Sequence, residues 1–235
     1  MNCLITGASI GIGASLAIKL AKNGYNLFLT YYSNQELCQE LQKEIQEKYK
    51  VKCFIQKCDL KEEEDIIKLS QIIKEKFGKL DILVNNASTS NDNLFMDKTK
   101  KEFSEVLEVN LLGTFLMSKY MINIMSEKGI VINMASTDGI DTYSIYNVDY
   151  AVSKAGIIQL TKSMALIFKN LKVIAIAPNW VDTESTKEMN QDYLEEELKR
   201  IGQKELISRE KVVDVIYDTI TNQNIRSGEV IKIYE

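Results

Sequence analysis

Short apolar runs and helix-length amphipathic stretches take turns along the whole chain. Residues 2–6, 26–30, 51–56, 80–84, 129–134, 172–177 and 229–233 are brief and mostly apolar. Strands covered on both faces read this way, because neither face meets water. Between them, apolar positions recur at three- and four-residue spacing, the helical period. The stretch 34–49 carries Leu37, Leu41, Ile45 and Tyr49. The stretch 62–77 carries Ile66, Ile67, Leu69, Ile73 and Phe77 behind an acidic start, which suits the positive end of a helix. Further helices are predicted over 11–23, 100–126, 144–170, 184–201 and 209–221. A strand–helix unit repeated six times before a last strand demands a parallel sheet with helices on both faces. The expectation is therefore α/β, with one doubly wound parallel sheet of about seven strands and one domain over 1–235. The charged segment 184–208 follows the sixth strand, on the side where ligands bind in open α/β sheets. Its charge pattern suits a substrate lid and a solvated helix pair equally.

Composition narrows the chemistry. The 235 residues carry 29 basic and 33 acidic side chains, a net charge of −4. Such mild acidity argues against a nucleic-acid partner. No 18-residue apolar run is present, so no membrane span is expected. The first residues lack a basic n-region and run into a core strand, unlike a signal peptide. Cys3, Cys38, Cys53 and Cys58 form no Cys-x-x-Cys pair and read as reduced thiols of a cytoplasmic protein. There is no histidine. That excludes Ser-His-Asp hydrolysis and His-ligated zinc catalysis, and no metal site is expected. A general acid or base must be Asp, Glu, Lys, Tyr or Cys.

Two motifs carry chemistry. Thr6-Gly7-Ala8-Ser9-Ile10-Gly11-Ile12-Gly13 lies between the first strand and the first helix. Gly7 allows a tight turn, Gly11 a close backbone approach and Gly13 close helix–sheet packing, so helix amides can face a diphosphate. The spacing is G-x-x-x-G-x-G. The second motif is Tyr150-Ala151-Val152-Ser153-Lys154 on a predicted helix. Positions four apart share a helix face. An ammonium about 4 Å from a phenol, at an effective dielectric near 20, favours the phenolate by up to about 4 kcal/mol. That is about 3 pKa units. Alone, the pair is compatible with a structural role.

Together with further positions, these motifs resemble the short-chain dehydrogenase/reductases over essentially the whole chain. Asp59-Leu60 resembles that family's adenine-contacting position and Asn85-Asn86-Ala87 its Asn-Asn-Ala motif. Asn110 matches the family's helix asparagine, Ser136 its catalytic serine, and Tyr150 with Lys154 its catalytic pair. Pro178-Asn179-Trp180-Val181-Asp182-Thr183 resembles its Pro-Gly-x-Val-x-Thr stretch. The resemblance implies a Rossmann-type fold and hydride transfer between a nicotinamide and a carbonyl or secondary alcohol. It makes Tyr150 the proton donor, Lys154 the group that lowers its pKa, Ser136 the oxyanion partner, and Asn110 the anchor of a relay water. Gly7, Ser9, Ile10, Gly11, Ile12, Gly13, Asn86, Ala87, Tyr150, Lys154, Pro178, Val181 and Thr183 become cofactor-binding. The implied substrate is a small molecule or acyl thioester, as in the similar 3-oxoacyl-(acyl-carrier-protein) reductases. A sugar, steroid, other alcohol or protein-linked ketone is the rival substrate, and a non-catalytic dinucleotide sensor the rival class.

Several positions depart from the family pattern. Ser88 stands where Gly is usual, Ser136 and Tyr150 are one residue further apart, and Asn179 replaces a Gly whose left-handed geometry Asn tolerates. The segment Ile233-Tyr234-Glu235 lacks the Gly-Gly of tetrameric members. The expected assembly is a homodimer or homotetramer through the helices around Asn110 and Tyr150. After the second strand, Tyr32, Ser33 and Asn34 contain neither an acid nor a base. An acid there would repel a ribose 2′-phosphate. Its absence leans to NADP over NAD, with Ser33 and Asn34 as neutral partners.

Overall fold

In the computed structural model, which describes residues 1–142 and 145–234, seven parallel strands form one sheet. They are β1 (Asn2–Ile5), β2 (Asn26–Tyr31), β3 (Cys53–Lys57), β4 (Leu80–Asn85), β5 (Met125–Met134), β6 (Lys172–Pro178) and β7 (Val230–Ile233). Their order is β3-β2-β1-β4-β5-β6-β7. The order reverses between β1 and β4, so a crevice opens beyond their carboxyl ends. Ile5 pairs with Leu29 of β2 and Val84 of β4, which aligns those ends.

Alternation along each strand divides the core in two. Cys3 and Ile5 face a layer built from Leu16 and Leu20 of α1 (Gly11–Lys22) and from Val212 and Ile216 of α9 (Arg209–Thr221). Leu4 faces the other layer. There α3 (Glu63–Phe77) supplies Ile66, Leu69 and Ile73, and α5 (Gly113–Ile122) supplies Met117 and Met121. Helix α2 (Gln35–Tyr49) flanks β3 at the sheet edge. All four cysteines are buried free thiols. Among the described residues no helix is long and apolar enough to cross a membrane.

Three predicted elements differ. The helix expected over 100–126 is α4 (Lys100–Leu107), a π turn (Glu108–Leu112) and α5. The π turn inserts one residue into what the sequence reads as a single helix. Beyond α5 the chain joins the sheet at Met125, because Leu80 N–H donates to Ile124 O (2.9 Å) and Ser126 Oγ donates to Asp81 Oδ1 (2.6 Å). The helix expected from Ser144 runs as α6 (Val148–Ile167), and Ser144 lies outside the described residues. The stretch 184–201 divides into α7 (Glu184–Glu188) and α8 (Gln191–Ile201). Asn190 forces that division by capping α8, its Oδ1 accepting from Tyr193 N–H at 3.0 Å. The excursion is held to the sheet where Ile207 bridges Val181.

Candidate active site

The first strand ends in a turn that only glycine permits. Gly7 has φ +62°, and a Cβ there would lie 2.8 Å from the Ala87 backbone. At Gly13 a Cβ would lie 2.6 Å from Gly7 O. Thr6 Oγ1 accepts from the N–H groups of Asn86 and Ala87, both at 3.0 Å. The Asn86 amide returns two bonds, to Thr6 O and Gly7 O at 2.9 Å. These bonds lock the ends of β1 and β4 together. Helix α1 starts at Gly11 with no side-chain cap, so its first amides are open to a ligand. Gly11 also has φ +62°, and a Cβ there would meet only Glu184 Oε2, at 3.6 Å. This backbone cradle fits a diphosphate.

The cradle is the floor of a cleft of about 740 Å³. Ser9, Ile10, Gly11 and Ile12 line the cleft, whereas Gly13 sits behind it as helix–strand packing. Tyr32, Ser33, Asn34, Asp59 and Leu60 line one end. Asn86 and Ala87 line its middle, and Ser136, Tyr150, Lys154, Pro178, Val181 and Thr183 line the remainder. The structure therefore gathers every predicted position around one cleft except Gly13 and Asn110.

Asn110 lies fully buried in the π turn. Its Oδ1 accepts from Thr89 N–H (2.8 Å). Its amide donates to Thr89 O (2.9 Å) and Ser153 Oγ (3.0 Å). It thus ties the loop after β4 to α6. Ser153 Oγ in turn donates to Tyr150 O (2.7 Å).

At the other end, the Lys154 ammonium is buried and donates to Met134 O at 2.9 Å. Burial pulls its pKa from 10.5 down to about 7. It sits 5.1 Å from the Tyr150 ring centroid, over the face of the ring. Tyr150 shares a side-chain hydrogen bond with Ser136, which favours its ionised form. Burial nevertheless pushes the phenol above its ordinary value, and the nearby Asp138 carboxylate pushes it further. This corrects the simple pairing argument. Desolvation disfavours the charged form of each partner, so the net shift of the Tyr150 phenol is upward.

Other site features were not legible locally. Asp138 lines the cleft, and its own pKa is raised by burial. A 3₁₀ turn (Thr137–Gly139) follows Ser136, and a Cβ at Gly139 would lie 2.6 Å from Ala155 N. Gly139 therefore sets how closely the Ser136 segment meets α6. Lys98 and Asp149 form a buried ion pair at 3.0 Å. Asp149 Oδ1 also accepts from the N–H of Tyr150 (2.9 Å), so the pair ties the loop before α4 to the start of α6. Among the described residues the sole positive φ outside glycine is at Lys50, so Asn179 does not use left-handed geometry. Its N–H instead donates to Ile233 O (3.0 Å), and its Oδ1 accepts from Thr137 Oγ1 (3.1 Å). The stretch after β2 holds no base of its own, but Lys57 at the end of β3 places its Nζ 5.8 Å from the Tyr32 ring.

A model described as short chain dehydrogenase matches residues 1–194. The chain is 34% identical over 235 residues to the 3-oxoacyl-(acyl-carrier-protein) reductase FabG of Aquifex aeolicus (strain VF5), covering 98% of this chain and 94% of that protein. A solved dehydrogenase/reductase from Sinorhizobium meliloti 1021 superposes with a TM-score of 0.92 at 25% identity, covering 99% of this chain and 92% of that one. A variant of actinorhodin polyketide ketoreductase solved with NADPH gives a TM-score of 0.89 at 25% identity, with 99% and 95% covered.

Proposed function

The chain belongs to the short chain dehydrogenase family, and from that premise we propose an NADP-preferring reductase of 3-oxoacyl thioesters, with 1–235 acting as one catalytic domain. The observation that carries the proposal is the convergence of Ser136, Tyr150 and Lys154 at one end of a cleft floored by a glycine cradle. The thioester substrate follows the FabG relative, and the ketoreductase neighbour also bears a ketone-reducing name.

A nicotinamide cofactor supplies the hydride when bound. The chain's own groups handle the oxygen and its proton. Tyr150, a phenol and so protonated at neutral pH, donates its proton to the substrate oxygen. Ser136, bonded to Tyr150 in the free chain, turns its single hydroxyl proton to the same oxygen and stabilises its developing charge. Lys154 lies fixed on Met134 O beside the ring, where its charge favours the phenolate left after proton donation. Asn110 has both amide hydrogens committed, so its role in this reading is to position α6. NADP preference rests on the missing acid after β2.

Segment 184–208 acts as the substrate cover. Its α8 reaches the loop before α6 through an edge-on contact of Tyr193 with Tyr146, with centroids 4.9 Å apart. A second copy of the chain would cover the apolar face of α4–α6, where Leu112 and Phe115 are exposed beside Leu111 and Leu160.

The test is NADPH consumption with a 3-oxoacyl thioester, comparing the chain with its Tyr150→Phe variant. General acid catalysis contributes about 10²–10⁴-fold, so the variant should lose roughly that factor. Full turnover by the variant would end the proton-donor assignment. Turnover of other ketones without any of the thioester would end the substrate assignment. A sedimentation run that shows only monomer at micromolar concentration would dispose of the dimer.

A further inference from the structure

Next to the cleft end at β2, against the Tyr32 ring, stands a cation that the local sequence lacks. β2 closes on Tyr31, whose register partner on the neighbouring strand is Lys57. That pairing carries the Lys57 side chain to the Tyr32 ring, with Nζ 5.8 Å from the centroid. Tyr32 is 59% exposed and lines the cleft with Ser33 and Asn34. A lysine stem laid along an aromatic face keeps its ammonium beside that face at little cost.

Three other charges share this end. Lys61 lines it too, but Glu105 lies 3.6 Å from its ammonium, and Asp59 acts on it more strongly still. Asp59 Oδ1 accepts from the backbone N–H of Lys61 at 3.0 Å. The Lys61 ammonium is thus already engaged by carboxylates. Lys57 is exposed and, among the described residues, makes no ion pair.

In a doubly wound fold the ribose 2′ position of a bound dinucleotide lies just past the second strand, where an acid selects the hydroxyl and a cation the phosphate. Resting on the NADP reading above, we propose that Lys57, reaching across from β3, is the residue that receives the 2′-phosphate and sets the cofactor preference. Ser33 and Asn34 add neutral hydrogen-bond donors. An ammonium about 4 Å from a dianion in a water-like dielectric is worth roughly tenfold in affinity once salt screening is included.

The test measures binding and needs no turnover. Trp180 is the only tryptophan and lines the cleft, so its emission reports dinucleotide binding. NADPH and NADH are titrated into the unaltered chain, Lys57→Gln and Lys57→Arg. The expected result is tighter NADPH binding by the unaltered chain, about tenfold weaker NADPH binding by Lys57→Gln, and NADH affinity held within twofold. Lys57→Arg should keep the preference. Added salt should narrow the preference of the unaltered chain more than that of Lys57→Gln. Unchanged NADH binding shows that the variant is folded. If the unaltered chain prefers NADPH and Lys57→Gln keeps that preference, the assignment of Lys57 is wrong while the NADP reading stands. If the unaltered chain prefers NADH, both fall.

Discussion

Replacing Lys154 by Met should remove a pH dependence from the stability of the fold. In the folded chain burial lowers the Lys154 pKa from 10.5 to about 7. Below pH 7 both states are protonated, and the folded state bears the full cost of a buried ammonium. Between pH 7 and 10.5 the unfolded chain binds more protons than the folded one, so stability rises with pH. The shift corresponds to about 5 kcal/mol at most. Over the accessible window, pH 6 to pH 9, it amounts to about 2.5 kcal/mol. Met removes the titration and also the bond to Met134 O. The lost bond costs about 1 kcal/mol at every pH, so it cannot alter the slope. Tyr150 does not intrude, since a phenol in the unfolded chain ionises near pH 10, above the window. The assay is urea unfolding followed by circular dichroism at pH 6, 7, 8 and 9 for both chains. Stability of the unaltered chain minus that of the variant should climb by about 2.5 kcal/mol across the series. A difference that stays flat within about 0.5 kcal/mol would mean that the Lys154 ammonium is not desolvated, and the account of the Tyr150 environment would fail with it.

Further outcomes follow from the packing around α6. Lys98→Met strands the Asp149 carboxylate, which is fully buried, and should cost about 3–5 kcal/mol in urea unfolding. Adding Asp149→Asn should recover a substantial part of that loss. Gly139→Ala pushes the 3₁₀ turn off the Lys154–Ala155 backbone, with an expected cost of about 1–3 kcal/mol and a lower kcat in steady-state assays. Asn110→Leu leaves the backbone N–H and C=O of Thr89 without their partners and should cost about 2–4 kcal/mol, read by the same unfolding assay.

The central strands were legible because they are covered on both faces, so Leu4 and Ile5, adjacent in sequence, are both fully buried. The cleft was legible wherever chemistry sits in one short stretch, as in Gly7–Gly13 or Tyr150–Lys154. It was not legible where function depends on register or on distant segments. Lys57 approaches Tyr32 only through strand pairing. Lys98 and Asp149 meet across 51 positions of chain with no local signal. The π turn around Asn110 lies inside what the sequence reads as one helix. The electrostatics of Tyr150 depend on burial, which spacing on a helix does not report.

The buried cysteines make the chain its own clock of local opening. Burial raises the Cys38 thiol to about 11 and those of Cys53 and Cys58 to about 12, and pushes Cys3 up as well. Alkylating reagents attack the thiolate, so at neutral pH the closed chain is almost inert to them. Cys38 and Cys53 lie on α2 and on β3, at the sheet edge, whereas Cys3 lies on β1, inside the sheet. Mass spectrometry after brief exposure to such a reagent would therefore time the fraying of the edge that carries Lys57 separately from the opening of the centre.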